Sequence, residues 1–257
     1  MCIFMIMVMK KSNFVFIAVI FVLSLALIGL NNWFTNHGEG SKQNGTPMPA
    51  PTSTPANLIG TGKKVLLDAG HGGEDPGAVS DYTGLCEKNV NLYIATTVKA
   101  LLEKDGYIVL MTRTEDKLVY DETAKGETAM RRQDLLRRKK MMDESGADIV
   151  VSIHLNKYTD AKVHGAQTFF VKNSDSSKAL AECLQTAIVS KVDPENTRVA
   201  LVKKEDIIIT KNCKTTTAIV ECGFLSNKEE EEKLAKQSYQ DALASAIKTG
   251  IDSYFTG

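Results

Sequence analysis

The stretch Asp148-Ile149-Val150-Val151-Ser152-Ile153-His154 is apolar on both of its alternating faces and ends on a histidine. Continuous apolar character over so short a run is the pattern of a strand at the centre of a sheet covered on both sides. Working outward, the same grammar recurs. The run at 65–68 leads into Ala69-Gly70-His71-Gly72-Gly73, and the run at 216–220 ends against Glu221. Further strands are expected at 107–112, 166–171 and 207–210. Between them lie helical patterns at 87–105, 128–144, 177–191 and 239–254. In the first of these, Val90, Ile94, Val98, Leu101 and Leu102 recur at helical spacing and Gly106 stops the helix. Asn227 reads as a helix N-cap, with Glu230 completing a capping box. This alternation predicts an α/β fold: a three-layer domain with a mostly parallel or mixed central sheet flanked by helices.

The fold does not begin at the N-terminus. Lys10 and Lys11 precede seventeen uncharged, mostly apolar residues, 14–30, followed by Trp33 and Phe34. A short basic region before a hydrophobic one is the pattern of an export segment, and the aromatics stand where an interfacial anchor would sit. Residues 1–34 therefore read as a signal or membrane anchor, which exports the rest of the chain. Met9-Lys10-Lys11 makes a more natural translational start than Met1. Residues 35–62 are rich in Pro, Gly, Ser and Thr, with four of the six prolines between Pro47 and Pro55. They cannot bury a core and read as a flexible linker. The folded domain is expected to occupy 63–257.

A formal net charge of +0 over 257 residues gives no electrostatic footprint for nucleic acid. The five cysteines have no regular spacing and do not make a disulfide framework. The basic run Arg131, Arg132, Arg137, Arg138, Lys139 and Lys140 is interleaved with Asp134, Asp143 and Glu144, and reads as a solvated helix face.

Of four histidines, His37 lies in the linker and His164 in a polar loop. His71 and His154 each follow an apolar run, so both come to the carboxyl end of a strand, where ligands gather in open α/β sheets. Two imidazoles and a carboxylate make a three-ligand zinc set, and a second carboxylate beside them can act as general base. Glu221 ends an apolar strand, where a charge is costly unless it is paired or used. The third ligand stays open on spacing alone. Glu74 forms an H-x-x-E pair with His71 of the kind used by zinc carboxypeptidases, and Glu87 opens the first helix. Asp68 is a candidate to orient His71, and Cys86 and Cys222 flank Glu87 and Glu221.

The segments VLLDAGHGGEDPGA, GLCEKNVNL, TRTEDKLV, VVSIHLN and VECGFLSN, in that order, resemble the zinc-dependent N-acetylmuramoyl-L-alanine amidases of the type-3 cell-wall family. The resemblance covers essentially 63–255. It departs at Ala69, where proline is common, at Leu155, where alanine is common, and in the absence of a proline before the strand carrying Glu221. It implies that His71, Glu87 and His154 bind Zn2+ and that Glu221 is catalytic, favouring Glu87 over Glu74. It implies hydrolysis of the amide between N-acetylmuramic acid and L-alanine in peptidoglycan. A compact domain behind a membrane segment, without wall-binding repeats, is most like the germination-specific branch, which trims spore-cortex peptidoglycan to prepare muramic lactam. Some members of the family need an accessory activator protein. A cell-wall carboxypeptidase and a non-catalytic wall-binding protein are the alternatives.

Overall fold

In a computed structural model, which describes residues 62–203 and 207–257, the elements run Lys64–Ala69 (β1), Glu87–Lys104 (α1), Ile108–Met111 (β2), Glu127–Glu144 (α2), Ile149–Asn156 (β3), Gln167–Phe170 (β4), Asp175–Lys191 (α3), Leu201–Val202 (β5), Thr216–Phe224 (β6), Lys228–Leu234 (α4) and Gln237–Thr256 (α5). The six strands form one sheet in the order β2-β1-β3-β6-β4-β5. β2, β1, β3 and β6 are mutually parallel, whereas β4 runs antiparallel to β6 and β5 runs parallel to β4. The expected mixed α/β sheet is present. The expected export segment, the start at Met9 and the linker, apart from Gly62, lie outside the described residues. Among the described residues, no helix is long and apolar enough to cross a membrane.

Because successive strand side chains point to opposite faces, each strand divides its residues between two layers. Val65, Leu67 and Ala69 of β1, Ile149, Val151 and Ile153 of β3, and Ala218, Val220 and Cys222 of β6 enter one large apolar cluster. Val90, Ile94 and Val98 of α1, Leu180, Leu184 and Ile188 of α3, and Leu243, Ile247 and Ile251 of α5 complete it. Leu66 and Val150 face the other way, into a small cluster with Met142 of α2 and Ile209. By the same alternation Asp68, Ser152, His154 and Glu221 belong to this second face. The sheet thus turns its polar strand residues towards the layer of α2.

Two local expectations are corrected. Residues 207–210 form a turn closed by Thr210 N–H donating to Ile207 O at 3.0 Å, not a strand. Their apolar character arises because Ile209 caps the small cluster. At α4, Asn227 Oδ1 does accept from Glu230 N–H at 3.0 Å. Glu230, however, turns away from the cap to accept from the N–H groups of Gly165 and Phe224, each at 2.9 Å.

Candidate metal centre

β1 delivers its last residues into a tight turn in which Gly72 and Asp75 exchange two backbone hydrogen bonds of 2.9 Å. His71 sits in that turn at φ 63°, in the left-handed region. A non-glycine residue there is strained, and such strain concentrates at functional sites. The chain then makes a second backbone pairing, Val79 with Cys86, which sets Glu87 at the first position of α1. β3 brings His154 to the same place. A register shift follows between His154 and Asn156, an irregularity of the kind that re-aims side chains beside active sites.

The three side chains converge. His71 Nε2 lies 3.3 Å and His154 Nδ1 lies 3.0 Å from the same oxygen, Glu87 Oε1. The two imidazole rings stand 5.1 Å apart and nearly perpendicular, at 81°. One ligand atom from each of the three residues falls within 4.8 Å of the others, and among the described residues this is the group able to hold a metal ion. Glu87 is fixed by donors: Ala78 N–H to Oε2 at 2.7 Å, and Leu155 N–H and Asn91 Nδ2 to Oε1 at 2.9 and 3.2 Å. Two glycines make room. A Cβ on Gly70 would stand 2.2 Å from the His154 ring, and one on Gly77 would stand 2.5 Å from Glu87 Oε2.

Electrostatics agree with a cation at this point. Burial alone would push the Glu87 carboxyl up, but hydrogen bonds from His154 and His71 hold it far below the usual carboxylate range. Burial would push His71 down, but Asp75 and Glu87 raise it to about 9. The cluster therefore stabilises positive charge between carboxylates. Two imidazole nitrogens and one anchored carboxylate oxygen are a borderline-soft donor set that fits Zn2+.

Asp75, not Asp68, orients His71: its Oδ2 lies 2.8 Å from His71 Nδ1, which turns Nε2 inward. Asp68 instead accepts from Ser152, Thr112 and Arg138 at 2.6, 2.6 and 3.0 Å. Glu74 is exposed, accepts from Tyr120 at 3.0 Å and stands outside the cluster. Cys86 faces Gly84 O, and Cys222 is buried in the large apolar cluster. His164 is exposed, and His37 lies outside the described residues.

Glu221 pairs in register with His154 across β3 and β6. It is 8% exposed, and among the described residues its carboxylate makes no hydrogen bond. Lys203 Nζ approaches Oε1 at 3.7 Å. Burial raises the Glu221 carboxyl above its ordinary value, against the pull of His154 and Lys203. An unbonded carboxylate with raised proton affinity is suited to receive a proton.

Two buried arginines were missed from sequence. Arg113 donates through Nε to Ala69 O at 2.8 Å and through Nη2 to Gly70 O at 3.0 Å. Arg138, 1% exposed, donates to Ala69 O at 2.6 Å and to His71 O at 2.7 Å, and its Nε meets Asp134 at 2.6 Å. The solvated-face reading of α2 fails for Arg138 and Asp134. Together these guanidinium groups clamp the three consecutive carbonyls that carry His71. Arg113 lies within the TRTEDKLV segment that carries the resemblance, whereas Arg138 stands among charged residues and is indistinguishable by pattern from surface.

Residues 65–253 match the family model described as N-acetylmuramoyl-L-alanine amidase. The germination-specific N-acetylmuramoyl-L-alanine amidase of Bacillus subtilis (strain 168) is 37% identical over 202 residues, covering 79% of this chain and 84% of that protein. The CwlD amidase of Clostridioides difficile, solved in complex with the GerS lipoprotein, superposes with a TM-score of 0.73 at 38% identity. That match covers 76% of this chain and 98% of the other. An N-acetylmuramoyl-L-alanine amidase from Clostridium difficile 630 follows at TM-score 0.66 and 31% identity, covering 76% and 99%.

Proposed function

The chain belongs to the N-acetylmuramoyl-L-alanine amidase family, and from that premise we propose that it cleaves peptidoglycan at a zinc centre held by His71, Glu87 and His154, with Glu221 as the catalytic acid and base. The observation that carries this reading is the convergence of His71 Nε2 and His154 Nδ1 on one Glu87 oxygen. Glu221 stands in register with His154, and among the described residues its carboxylate has no hydrogen-bond partner.

When bound, zinc supplies Lewis acidity, which polarises the scissile carbonyl and lowers the pKa of water to roughly 7. Glu221 takes a proton from the attacking water as the new carbon–oxygen bond forms. It then passes that proton to the alanine nitrogen as the carbon–nitrogen bond breaks, so a neutral amine leaves. Asp75 holds His71 in the tautomer that presents Nε2. Arg113 and Arg138 hold the strained turn against relaxation by occupying its carbonyls.

The likeness to a germination-specific amidase supports a finer reading: trimming of spore-cortex peptidoglycan during sporulation, ahead of muramic lactam formation. The related amidase in complex with a lipoprotein supports work with an accessory protein outside the cytoplasmic membrane. Residues 14–30 would export the chain and tether it there. Digestion of purified peptidoglycan, followed by mass spectrometry with and without chelator, tests the reaction. Free stem peptides with an N-terminal alanine are expected, and chelator stops their release. Products cleaved only within the stem would favour a carboxypeptidase instead.

A further inference from the structure

A cavity of about 170 Å³ adjoins the metal centre on the α2 side of the sheet. Its walls differ in chemistry. His71 and His154 form the inner side, and Leu118, Ile207 and Ile209 form an apolar flank. Arg131, whose side chain is 49% exposed, stands on the remaining wall.

Arg131 is tethered rather than free. Its Nε lies 3.2 Å from Asp75 Oδ2, the same oxygen that meets His71 Nδ1 at 2.8 Å. The contact is an ion pair, and among the described residues the guanidinium makes no hydrogen bond. Asp75 shares its charge between His71 and Arg131. The other carboxylates at this cavity, Asp68 and Asp134, are engaged by Arg138 at 3.0 and 2.6 Å. The cavity therefore presents one cation that no carboxylate claims outright. Arginine in this state is made for bidentate recognition of a carboxylate. Through that shared oxygen His71 Nδ1 and Arg131 Nε stand no more than about 6 Å apart, within the ~7 Å that two extended residues span.

Resting on the amidase reading above, we propose that this cavity receives the stem-peptide residue that follows the released alanine, and that Arg131 selects a free carboxylate there over a neutral amide. The apolar flank takes the alanine methyl and the aliphatic part of the next residue. Arg131 is thus a specificity-determining residue.

The test uses the zinc-loaded enzyme with two probes, both blocked as the γ-methylamide, that differ only in the α-group: N-acetylmuramoyl-L-alanyl-D-glutamate and its D-isoglutamine counterpart. The wild type should favour the acid by roughly tenfold or more in kcat/KM, as expected for one charge-assisted pair, with the difference chiefly in KM. In Arg131→Gln the ratio should collapse towards unity, and Arg131→Lys, a point charge without the fork, should keep part of it. Calorimetric binding of L-alanyl-D-glutamate to the metal-free chain gives a readout without turnover. Binding should weaken in Arg131→Gln, with an unchanged Tm showing that the variant is folded. Equal use of both probes by the wild type, or a preference that survives in Arg131→Gln, overturns the proposal. If neither probe is cleaved but polymeric peptidoglycan is, the dipeptide binding decides. If no amide of any wall substrate is hydrolysed, it is the amidase reading that falls.

Discussion

The two faces of the central sheet are built on opposite principles. The face towards α1, α3 and α5 is apolar: Leu67, Ile153, Leu184 and Ile247 are fully buried in one continuous cluster. The face towards α2 carries a small apolar patch and then a buried ionic lattice, Asp68, Arg138, Asp134 and Arg113, whose arginines hold the turn that carries the proposed ligand His71. Burying ions is a poor way to stabilise a fold, since apolar replacements of similar shape often do as well. The lattice instead fixes backbone carbonyls at 69–71, where His71, the proposed ligand, takes a left-handed conformation that a non-glycine residue rarely adopts. One face stores stability, and the other stores geometry.

Substitutions should separate the two. The largest effect falls on the geometric face. Glu87→Ala is expected to abolish zinc retention after chelator challenge, whereas Glu74→Ala, an exposed neighbour, retains the metal; elemental analysis reads both. Glu221→Gln should keep its zinc and lose roughly 10²–10⁴-fold in turnover, the range for a positioned acid–base group. Loss of metal in that variant would make Glu221 a ligand. On the apolar face, Leu184→Ala should cost about 2–5 kcal/mol in denaturant unfolding and leave zinc affinity where it was. A parallel fall in zinc affinity would show that the faces are not independent.

The smallest effect is a pH dependence. Burial pushes the Asp68 carboxyl up, but the Arg138 guanidinium, His154 and the hydroxyls of Ser152 and Thr112 outweigh it and bring the pKa to about 2. A depressed folded-state pKa stabilises above the ordinary carboxylate range and loses that stabilisation as pH falls. About 2 kcal/mol should therefore disappear between roughly pH 4 and pH 2. Asp68→Asn should flatten that part of the stability curve, and an unchanged slope would remove Asp68 from the account.

The apolar face was almost wholly legible in sequence, because strands and helices announce burial through local periodicity. β5 was not, being an edge strand of two residues, Leu201–Val202, too short to carry a pattern. Residues 207–210 misled for the converse reason: their side chains are apolar to cover Met142 and Leu66, with no ladder to join. At the candidate metal centre the convergence of His71, Glu87 and His154 could be anticipated from strand ends and from the family resemblance. Their supports could not. Arg138 meets Asp68 across 70 residues of chain, and nothing local distinguishes it from the solvated arginines beside it. Asp68 and Asp75 both lie near the histidine in sequence, and only the turn at 72–75 decides which one reaches Nδ1.

X-ray absorption at the zinc edge, on protein loaded with one equivalent of zinc, examines the coordination directly. Two imidazoles with oxygen completing the shell, and loss of that signature in Glu87→Ala, are the expected result. A sulfur ligand, or a spectrum that Glu87→Ala leaves unchanged, would contradict it.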